Sequence, residues 1–328
     1  MVKEKKSTLL FIMETKSRQP KMEAIRVKLG FDGLFVVDPI GRSGRLALLW
    51  RDGDDLHIQN FTRRHINTDV RIPESNRWCH LTCFYGHPIP AKRHELWALL
   101  HHLQNFCPSA WMCAGDFNEI VEQNEKWGGA PQHDGQMEQF RAVLEDCGLS
   151  DLGFLGSKYT WTNGQQGENF MQERLDRVVA NWAWCALFKN REVHVLTART
   201  FDHKPVMVRS LDLSETKSQF YRSFKFEAHW LADKECLGVI REAWADGEQN
   251  GVGMCSTQER LEQYQTKLTR WSDFKFRSHD RELEEKTKKL AVLQTHEDGH
   301  NGLAISALKT EIDTILEHMD MKWKQRAK

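Results

Sequence analysis

The chain has 328 residues, of which 40% are hydrophobic and 28% are charged. Compact domains usually contain about 100–200 residues, so this length predicts about two of them. Lysine plus arginine and aspartate plus glutamate both total 46, and a net charge of zero gives no general reason to expect nucleic-acid binding. No apolar run reaches the ~18–20 residues that span a bilayer, and the apolar stretch near the N-terminus is too short for a signal sequence. We therefore expect a soluble intracellular protein of the nucleus or cytoplasm, neither secreted nor membrane-bound.

The cysteines and tryptophans narrow the class further. None of the eight cysteines forms a CxxC pair, so neither a disulfide framework nor a zinc site has the spacing it needs. We expect reduced thiols that pack as small apolar residues. The 12 tryptophans predict a sizeable core or flat stacking surfaces, because an exposed tryptophan is costly.

Short apolar runs alternate with helical patterns over residues 1–210. The runs are bounded by Gly, Pro or Asp, which is typical of buried strands. They are LLFIM (9–13), FDGLFVVD (31–38), RLALLW (45–50), WCHLTCFYG (78–86) and AWMCAGDFN (110–118). The segments MEAIRVKLG, KRHELWALLHHLQNF and GQMEQFRAVLEDCGL carry apolar residues at helical spacing. Hairpin-like strand pairs with interspersed helices predict an α+β sandwich rather than a doubly wound sheet.

The composition changes after residue 210. Residues 211–223 form a polar linker that contains LSETKSQF, and no proline occurs from there to the end. Residues 224–328 carry two long helical patterns, separated by the turn-like segment THEDGHNG. A helical hairpin with a solvated charged face is the favoured interpretation. A coiled coil is less favoured because the heptads are irregular and short.

Two polar motifs stand beside apolar strands. Asp116 and Asn118 follow the run AWMCA, where a carboxylate and an amide can hold a metal-bound water and a phosphate oxygen, although a simple turn is the alternative. Asp202 and His203 precede the run VMVRSL. Adjacent residues on an extended segment point to opposite sides, so these two would serve different partners, and an ordinary surface pair is the alternative.

Two further carboxylates are candidates. Glu14 ends the run LLFIM and so resembles Asp116 in position. Asp176 lies between Arg174 and Arg177 ahead of an apolar run. An acid between two arginines is most simply a salt-bridged structural residue, but it can also orient a histidine.

Taken in order, the segments MET, CFYG, GDFN, YTWTNG, RLDR and DHKP resemble the endonuclease/exonuclease/phosphatase superfamily. They are most similar to the endonuclease domains of plant non-LTR (LINE-type) retrotransposons, and the likeness covers most of residues 8–210. The segment FKFEAHWLADKECLGVIREAW resembles the region that joins endonuclease to reverse transcriptase in those elements. The resemblance implies a four-layer αββα sandwich in residues 1–210, a helical region in residues 224–328, and a reverse transcriptase in the parent element.

The resemblance also implies site roles. Glu14 and Asp202 match metal-binding positions for Mg²⁺ or Mn²⁺, which prefer oxygen ligands. Asp116 matches the aspartate that positions and deprotonates the attacking water, and Asn118 matches the amide that contacts the scissile phosphate.

The remaining roles concern the histidine and the substrate. His203 matches the histidine that stabilises the phosphorane when charged, and Asp176 matches the carboxylate that pairs with it and raises its pKa. Tyr85 matches a phosphate-contacting tyrosine, with a turn role as the alternative. Trp161, Asn163 and Arg174 are candidates for substrate binding along a DNA groove, with a core position as the alternative for Trp161.

Two departures from the family pattern matter. Phe201 stands where the family has serine. We expect the family's first strand, with its metal- and phosphate-contacting asparagine, to be missing, because the matching sequence starts only about six to nine residues before Glu14, and residues 1–59 contain no Asn. We expect an N-terminally truncated sandwich that is a poor catalyst.

The sequence therefore supports two hypotheses. One is metal-dependent phosphodiester hydrolysis, with DNA nicking favoured by the LINE-like linker, although RNA and phosphomonoesters are substrates of the same superfamily. The other is a catalytically decayed retroelement fragment that at most binds nucleic acid or a protein.

Overall fold

A computed structural model describes most of the chain. The described residues are 2, 5, 7–15, 17, 19–37, 45–51, 55–72, 77–106, 109–198, 202–210, 234–245 and 254–326. The predicted linker 211–223 and Phe201 lie outside this set. The chain divides into two compact units, Met1–Ser214 and Glu215–Lys328.

The first unit contains strands and helices in alternation. In chain order they are β1 (Leu9–Thr15), α1 (Gln19–Leu29), β2 (Gly33–Val37), β3 (Arg45–Trp50), β4 (Leu56–Thr62), β5 (His65–Ile72), β6 (Arg77–Tyr85), α2 (Arg93–Phe106), β7 (Trp111–Asp116), β8 (Lys126–Trp127), α3 (Asp134–Asp146), β9 (Ser150–Asp151), β10 (Leu155–Gly156), β11 (Trp161–Thr162), β12 (Gln172–Glu173), β13 (Asp176–Ala180), α4 (Trp182–Leu187), β14 (Arg191–Val195) and β15 (Val206–Ser210).

A three-stranded antiparallel sheet of order β1-β3-β2 forms one inner layer. Side chains of β3 alternate between its two faces, as the two-residue period of a strand requires. Ala47 and Leu49 pack against Met22 of α1. Leu46 and Leu48 lie on the other face of the strand, in a hydrophobic cluster between the two sheets. These four β3 residues are at most 1% exposed, because the strand is covered on both faces and both edges.

A six-stranded sheet of order β4-β5-β6-β7-β13-β9 forms the second inner layer. Its inner face contributes Ile66, Leu81 and Cys83 to the cluster shared with Leu46 and Leu48. Its outer face packs against α2 and α3 through a larger cluster that includes Phe84, Trp97, Trp111 and Phe140. The layers are therefore α1, two facing sheets, and α2 with α3. This arrangement confirms the predicted α+β class and αββα sandwich.

Two smaller sheets complete the first unit. One has the order β10-β14-β15 and the other the antiparallel order β11-β12-β8. An antiparallel bridge joins Trp161 of β11 to His203, which lies just before β15. The small sheet is therefore connected directly to a sequence-predicted site residue.

The second unit is helical in its described part. It consists of α5 (Lys234–Ala245), α6 (Met254–Thr295) and α7 (Gly302–Arg326). Cys236 and Leu268 are fully buried between α5 and α6, and Leu290 and Ile312 between α6 and α7. The α6–α7 connection falls in the segment THEDGHNG, where the sequence predicted a turn. Within the described residues, no helix is long and apolar enough to cross a membrane.

Candidate active site

Three of the predicted site residues lie side by side at the ends of three central strands of the six-stranded sheet. Tyr85 and Asp116 are in register on the parallel strands β6 and β7, and Asp116 is in register with Asp176 on the antiparallel strand β13. Both parallel strands end here and β13 begins here, so the three side chains start from neighbouring backbone positions. The strand-end prediction for Asp116 agrees with this placement.

Glycine allows the two strand ends to approach closely. A Cβ atom at Gly115, where φ is +145°, would lie 1.9 Å from the carbonyl oxygen of Phe84. A Cβ atom at Gly86 would lie 2.3 Å from the carbonyl oxygen of Phe117. Neither contact is possible for a larger residue without moving backbone. These two glycines therefore set the distance between β6 and the turn that follows β7.

Asn118 fixes the carboxylate of Asp116. Its backbone N–H donates to Oδ1 of Asp116 over 2.7 Å, and its side-chain amide donates to Oδ2 over 2.5 Å. The same amide lies 3.3 Å from the carbonyl oxygen of Gly86. Asn118 has φ of +53°, a left-handed conformation that asparagine adopts more readily than most residues. Its side chain is thus turned towards Asp116.

Asp116 is buried among like and unlike charges. It is 2% exposed, and this burial raises its pKa well above the usual range of an aspartate. Repulsion from Asp176 and Glu14 also raises the pKa, whereas His203 and the N–H of Asn118 act in the opposite direction. A carboxyl group of this kind can exchange a proton closer to neutral pH than an exposed aspartate.

Asp176 and His203 form a hydrogen-bonded ion pair. Nδ1 of His203 lies 2.8 Å from Oδ2 of Asp176, whose side chain is 5% exposed. Burial alone lowers the pKa of His203, but attraction and hydrogen bonding to Asp176, with smaller contributions from Asp116 and Asp202, raise it to about 9. The imidazole is therefore cationic at neutral pH.

Glu14 reaches the site through Tyr85. The phenol O–H of Tyr85 donates to Oε1 of Glu14, 71 residues away in sequence. Glu14 is exposed and has φ of +52°, at an irregularity in the β1–β3 pairing between Ile12 and Thr15. Burial and the contact with Glu14 raise the pKa of Tyr85, so its hydroxyl stays protonated.

Arg64 is a cation at this site that the sequence did not indicate. Its guanidinium lies 4.9 Å from the ring centroid of Tyr85, and Nη1 donates to the carbonyl oxygen of Gly86 over 3.1 Å. It belongs to the turn between β4 and β5. A basic residue in a hairpin turn is common on any surface, so no local sequence signal marks it.

Asp202 precedes His203 in the chain, and Trp161 pairs with His203 through the antiparallel bridge. Asp202 is exposed, and its carbonyl oxygen accepts from the N–H of Thr162 over 3.1 Å. Trp161 is half-buried and packs against a hydrophobic cluster, and its role in substrate binding stays a prediction. The side chain of Asn163 forms a hydrogen bond within its own loop, where Oδ1 accepts from the N–H of Gln165 over 3.2 Å.

Arg174 belongs to a group of four charges, of which Glu125, Arg174 and Arg177 are buried and Asp151 is exposed. Its guanidinium contacts Glu125 over 2.7 Å and Asp151 over 2.8 Å, and Arg177 contacts the same two carboxylates, each over 2.6 Å. Two carboxylates thus bind the guanidinium of Arg174, and its role in substrate binding stays a prediction. The acid between the two arginines, Asp176, pairs with His203 instead.

The carboxylates do not form a protein cage for a metal. Among the described residues, no three His, Cys, Asp or Glu side chains are grouped so that they could hold one ion. Magnesium usually keeps several waters and binds through one or two carboxylates together with substrate phosphates. The carboxylate of Glu14, which is exposed and accepts the phenol hydrogen of Tyr85, fits that mode.

The fold and this constellation define an αββα sandwich with an acid–histidine pair and a buried aspartate at its strand ends. No protein-family model and no curated protein matches the chain. Among solved structures, it is similar to the endonuclease domain of TRAS1, a telomere-specific non-LTR retrotransposon. That match has 16% identity, covers 64% of this chain and 89% of the other, and has a TM-score of 0.49.

Two further structures illustrate the range of similar proteins. The 3′ phosphatase NExo from Neisseria matches with 20% identity, 62% and 88% coverage and a TM-score of 0.47. The AP endonuclease LMAP from Leishmania major matches with 15% identity, 64% and 80% coverage and a TM-score of 0.47. An endonuclease/exonuclease/phosphatase family protein from Leptotrichia buccalis is also similar, with 13% identity, coverage of 64% of this chain and 89% of the other, and a TM-score of 0.42. The likeness to plant elements in particular stays a prediction.

Proposed function

We propose that this chain hydrolyses phosphodiester bonds and that its substrate is DNA, which it nicks. The observation that carries the proposal is the placement of a buried aspartate beside an aspartate–histidine pair, with Asp116 in register with Asp176 and His203 bonded to the latter. Hydrolysis needs a group that takes a proton from water and a cation that stabilises charge on the phosphoryl oxygens. Asp116 can supply the proton acceptor, and His203 can supply the cation.

Asp116 acts as the base. Its raised pKa brings proton exchange closer to neutral pH, and the two hydrogen bonds from Asn118 hold its carboxylate in one orientation. His203 acts as the cation. Its raised pKa keeps it charged at neutral pH, so its positive charge can oppose the negative charge that develops on the phosphoryl group.

Glu14 and Asp202 are the proposed ligands of a divalent cation, Mg²⁺ or Mn²⁺. Such an ion supplies charge stabilisation at the phosphoryl and leaving oxygens when it is bound. Tyr85 orients Glu14 by donating its phenol hydrogen to the carboxylate. Arg64 lies beside Tyr85 and gives the site a positive charge in addition to that of His203.

The proposal places all these residues in the predicted domain 1–210, and none in the linker 211–223 or the helical region 224–328. The domain division is consistent with the compact unit Met1–Ser214. In the parent element we expect a reverse transcriptase beyond the helical region.

The alternative is a decayed retroelement fragment that binds nucleic acid without cutting it. One observation favours it. The side chains of Asn118, Asn163 and Arg174, expected to contact phosphate or substrate, all make contacts within the chain.

A nicking assay on supercoiled plasmid tests the two functions. We expect open-circular product to form slowly with Mg²⁺, as for an impaired enzyme, and not at all with EDTA, and we expect its loss in Asp116→Asn. Asp134→Asn, which changes an exposed aspartate at the start of α3, is the control and should nick like the wild type. Plasmid that stays supercoiled with Mg²⁺, together with retention of labelled DNA in a gel-shift experiment, would favour the binding module.

A further inference from the structure

Thr160 is a fully buried threonine beside the acid–histidine pair. Its exposed fraction is 0%, and its hydroxyl oxygen accepts the backbone N–H of Leu175 over 3.0 Å and that of Asp176 over 2.9 Å. A hydroxyl oxygen has two acceptor sites, so these two amides use both. The start of strand β13, which carries Asp176, is therefore attached to one side chain.

The backbone of Thr160 is attached to the segment that carries His203. Its carbonyl oxygen accepts the N–H of Lys204 over 2.6 Å, and the N–H of Thr162 donates to the carbonyl oxygen of Asp202 over 3.1 Å. These two bonds flank the bridge between Trp161 and His203. The residues on both sides of the histidine are thus held on the strand that begins beside Thr160.

We propose that Thr160 is a positioning residue whose hydroxyl holds Asp176 and whose carbonyl holds the segment of His203, so that the two side chains meet. Asp176 and His203 are 27 residues apart in sequence, and Thr160 touches the backbone of both segments. The β-branched side chain of threonine has few allowed χ1 rotamers, which keeps the hydroxyl in one place. The effect of Thr160 on catalysis rests on the proposed function, whereas its effect on the contact between Asp176 and His203 does not.

The chain offers a conservative variant and a matched control. Thr160→Val keeps the shape of the side chain and removes the oxygen, and Thr160→Ser keeps the oxygen. Thr82 is also 0% exposed, and its hydroxyl accepts from Nε1 of Trp111 over 2.9 Å and donates to Oδ1 of Asn67 over 2.9 Å. Thr82→Val therefore removes an equally buried hydroxyl from the six-stranded sheet, at a place with no contact to the pair.

The first measurement is NMR of the full chain. The imidazole Nδ1–H of His203, hydrogen-bonded to Asp176, should give a downfield proton resonance that is absent in Asp176→Asn. We expect Thr160→Val to lose this resonance, and Thr160→Ser and Thr82→Val to keep it. Retention of the resonance in Thr160→Val, or its loss in Thr82→Val as well, would overturn the proposal. Should Thr160→Val not fold, amide exchange of the wild type decides, because fast exchange at Leu175 and Asp176 contradicts the bonds to the hydroxyl.

The second measurement is the steady-state nicking rate. In Thr160→Val we expect kcat to fall about 10- to 100-fold with KM nearly unchanged, because a small displacement of a catalytic group has an effect of this size. Thr160→Ser should recover most of kcat. An unchanged kcat in Thr160→Val overturns the proposal if the wild type nicks. If the wild type does not nick, the proposed function fails, and the NMR result still decides the role of Thr160.

Discussion

Asp116 and Asp176 face each other in register across the antiparallel pair of β7 and β13, at the point where one strand ends and the other begins. Two buried carboxylates at such adjacent positions repel each other. The structure separates their roles through their partners, since Asn118 donates to Asp116 and His203 pairs with Asp176. One carboxylate can thus serve as a base while the other holds a cation.

The first prediction concerns Asp176→Asn, which removes the negative partner of His203. We expect the pKa of His203 to fall from about 9 and the nicking rate to fall at neutral pH, with the affinity for Mg²⁺ nearly unchanged. The pKa is measured by NMR titration of the imidazole. A wild-type pKa below the ordinary value of about 6.5 contradicts the pairing.

The same pair makes stability depend on pH. Because the folded pKa of His203 lies above its ordinary value, the pair stabilises the fold fully below about pH 6.5. This contribution is lost as the pH rises through about 9. The difference in Tm between wild type and Asp176→Asn should therefore shrink between these two pH values.

The second prediction concerns Asp116→Asn. Because the folded pKa of Asp116 is raised, ionisation of this group opposes folding increasingly as the pH rises above about 4, the ordinary value of an aspartate. We expect Tm of the variant relative to wild type to increase from acid to neutral pH, while the nicking rate falls about 10²- to 10⁴-fold, the usual contribution of a general base. Calorimetry across this pH range gives the first quantity, and a pH-independent difference in Tm contradicts it.

Local pattern was enough to predict the part of the site that lies at strand ends. The apolar run before Asp116 and the one after Asp176 mark β7 and β13, and both residues fall at the ends of those strands. The alternation of short strands and helices similarly predicted an α+β sandwich, whereas the order of the four αββα layers was implied by the family resemblance. These features depend on residues that are neighbours in sequence, so a single sequence contains them.

Long-range contacts were not predictable in the same way. Glu14 meets Tyr85 only because β1 and β6 belong to facing sheets, and Arg174 pairs with Glu125 across 49 residues. Thr160 lies in the segment YTWTNG, just before β11, but the segment does not indicate which distant backbone groups its hydroxyl and carbonyl would bind. The ion pairs of Arg174 with Glu125 and Asp151 depend on how distant loops pack, so its position beside Asp176 in the sequence could not indicate them.

The third prediction concerns Glu125, the buried carboxylate of the four-charge group around Arg177. Glu125→Gln leaves the guanidinium groups of Arg174 and Arg177 with one carboxylate between them, and breaking a buried ion pair typically costs about 3–5 kcal/mol. We expect a loss of this size in the free energy of unfolding, measured in urea. Glu122→Gln, three residues earlier and exposed, is the control and should change it by less than about 0.5 kcal/mol. Equal effects of the two variants contradict a structural role for the group.

The fourth prediction concerns the helical unit. Leu290 is 0% exposed between α6 and α7, whereas Leu303 on α7 is 75% exposed. We expect Leu290→Ala to destabilise this unit by about 2–5 kcal/mol through the cavity it leaves, and Leu303→Ala to have little effect. Far-ultraviolet circular dichroism measures the loss of helix during denaturation. Because we place no catalytic group in this unit, nicking under native conditions should be the same in both variants.

The last prediction concerns the hydroxyl of Tyr85, which donates to Glu14. Tyr85→Phe removes that donor and leaves the ring under Arg64, so the carboxylate of Glu14 keeps its charge but loses its fixed orientation. Removing a group that orients a metal ligand typically weakens metal affinity or activity about 10- to 100-fold. We therefore expect the Mg²⁺ concentration for half-maximal nicking to rise by about this factor, and Mn²⁺ binding measured by calorimetry to weaken in parallel.

Glu14→Gln should weaken binding further, because it removes the charge itself. Tyr159→Phe, which deletes a phenol hydroxyl from a half-buried tyrosine outside this contact, is the matched control and should bind Mn²⁺ like the wild type. Unchanged Mn²⁺ binding in both Tyr85→Phe and Glu14→Gln would show that Glu14 is not a ligand.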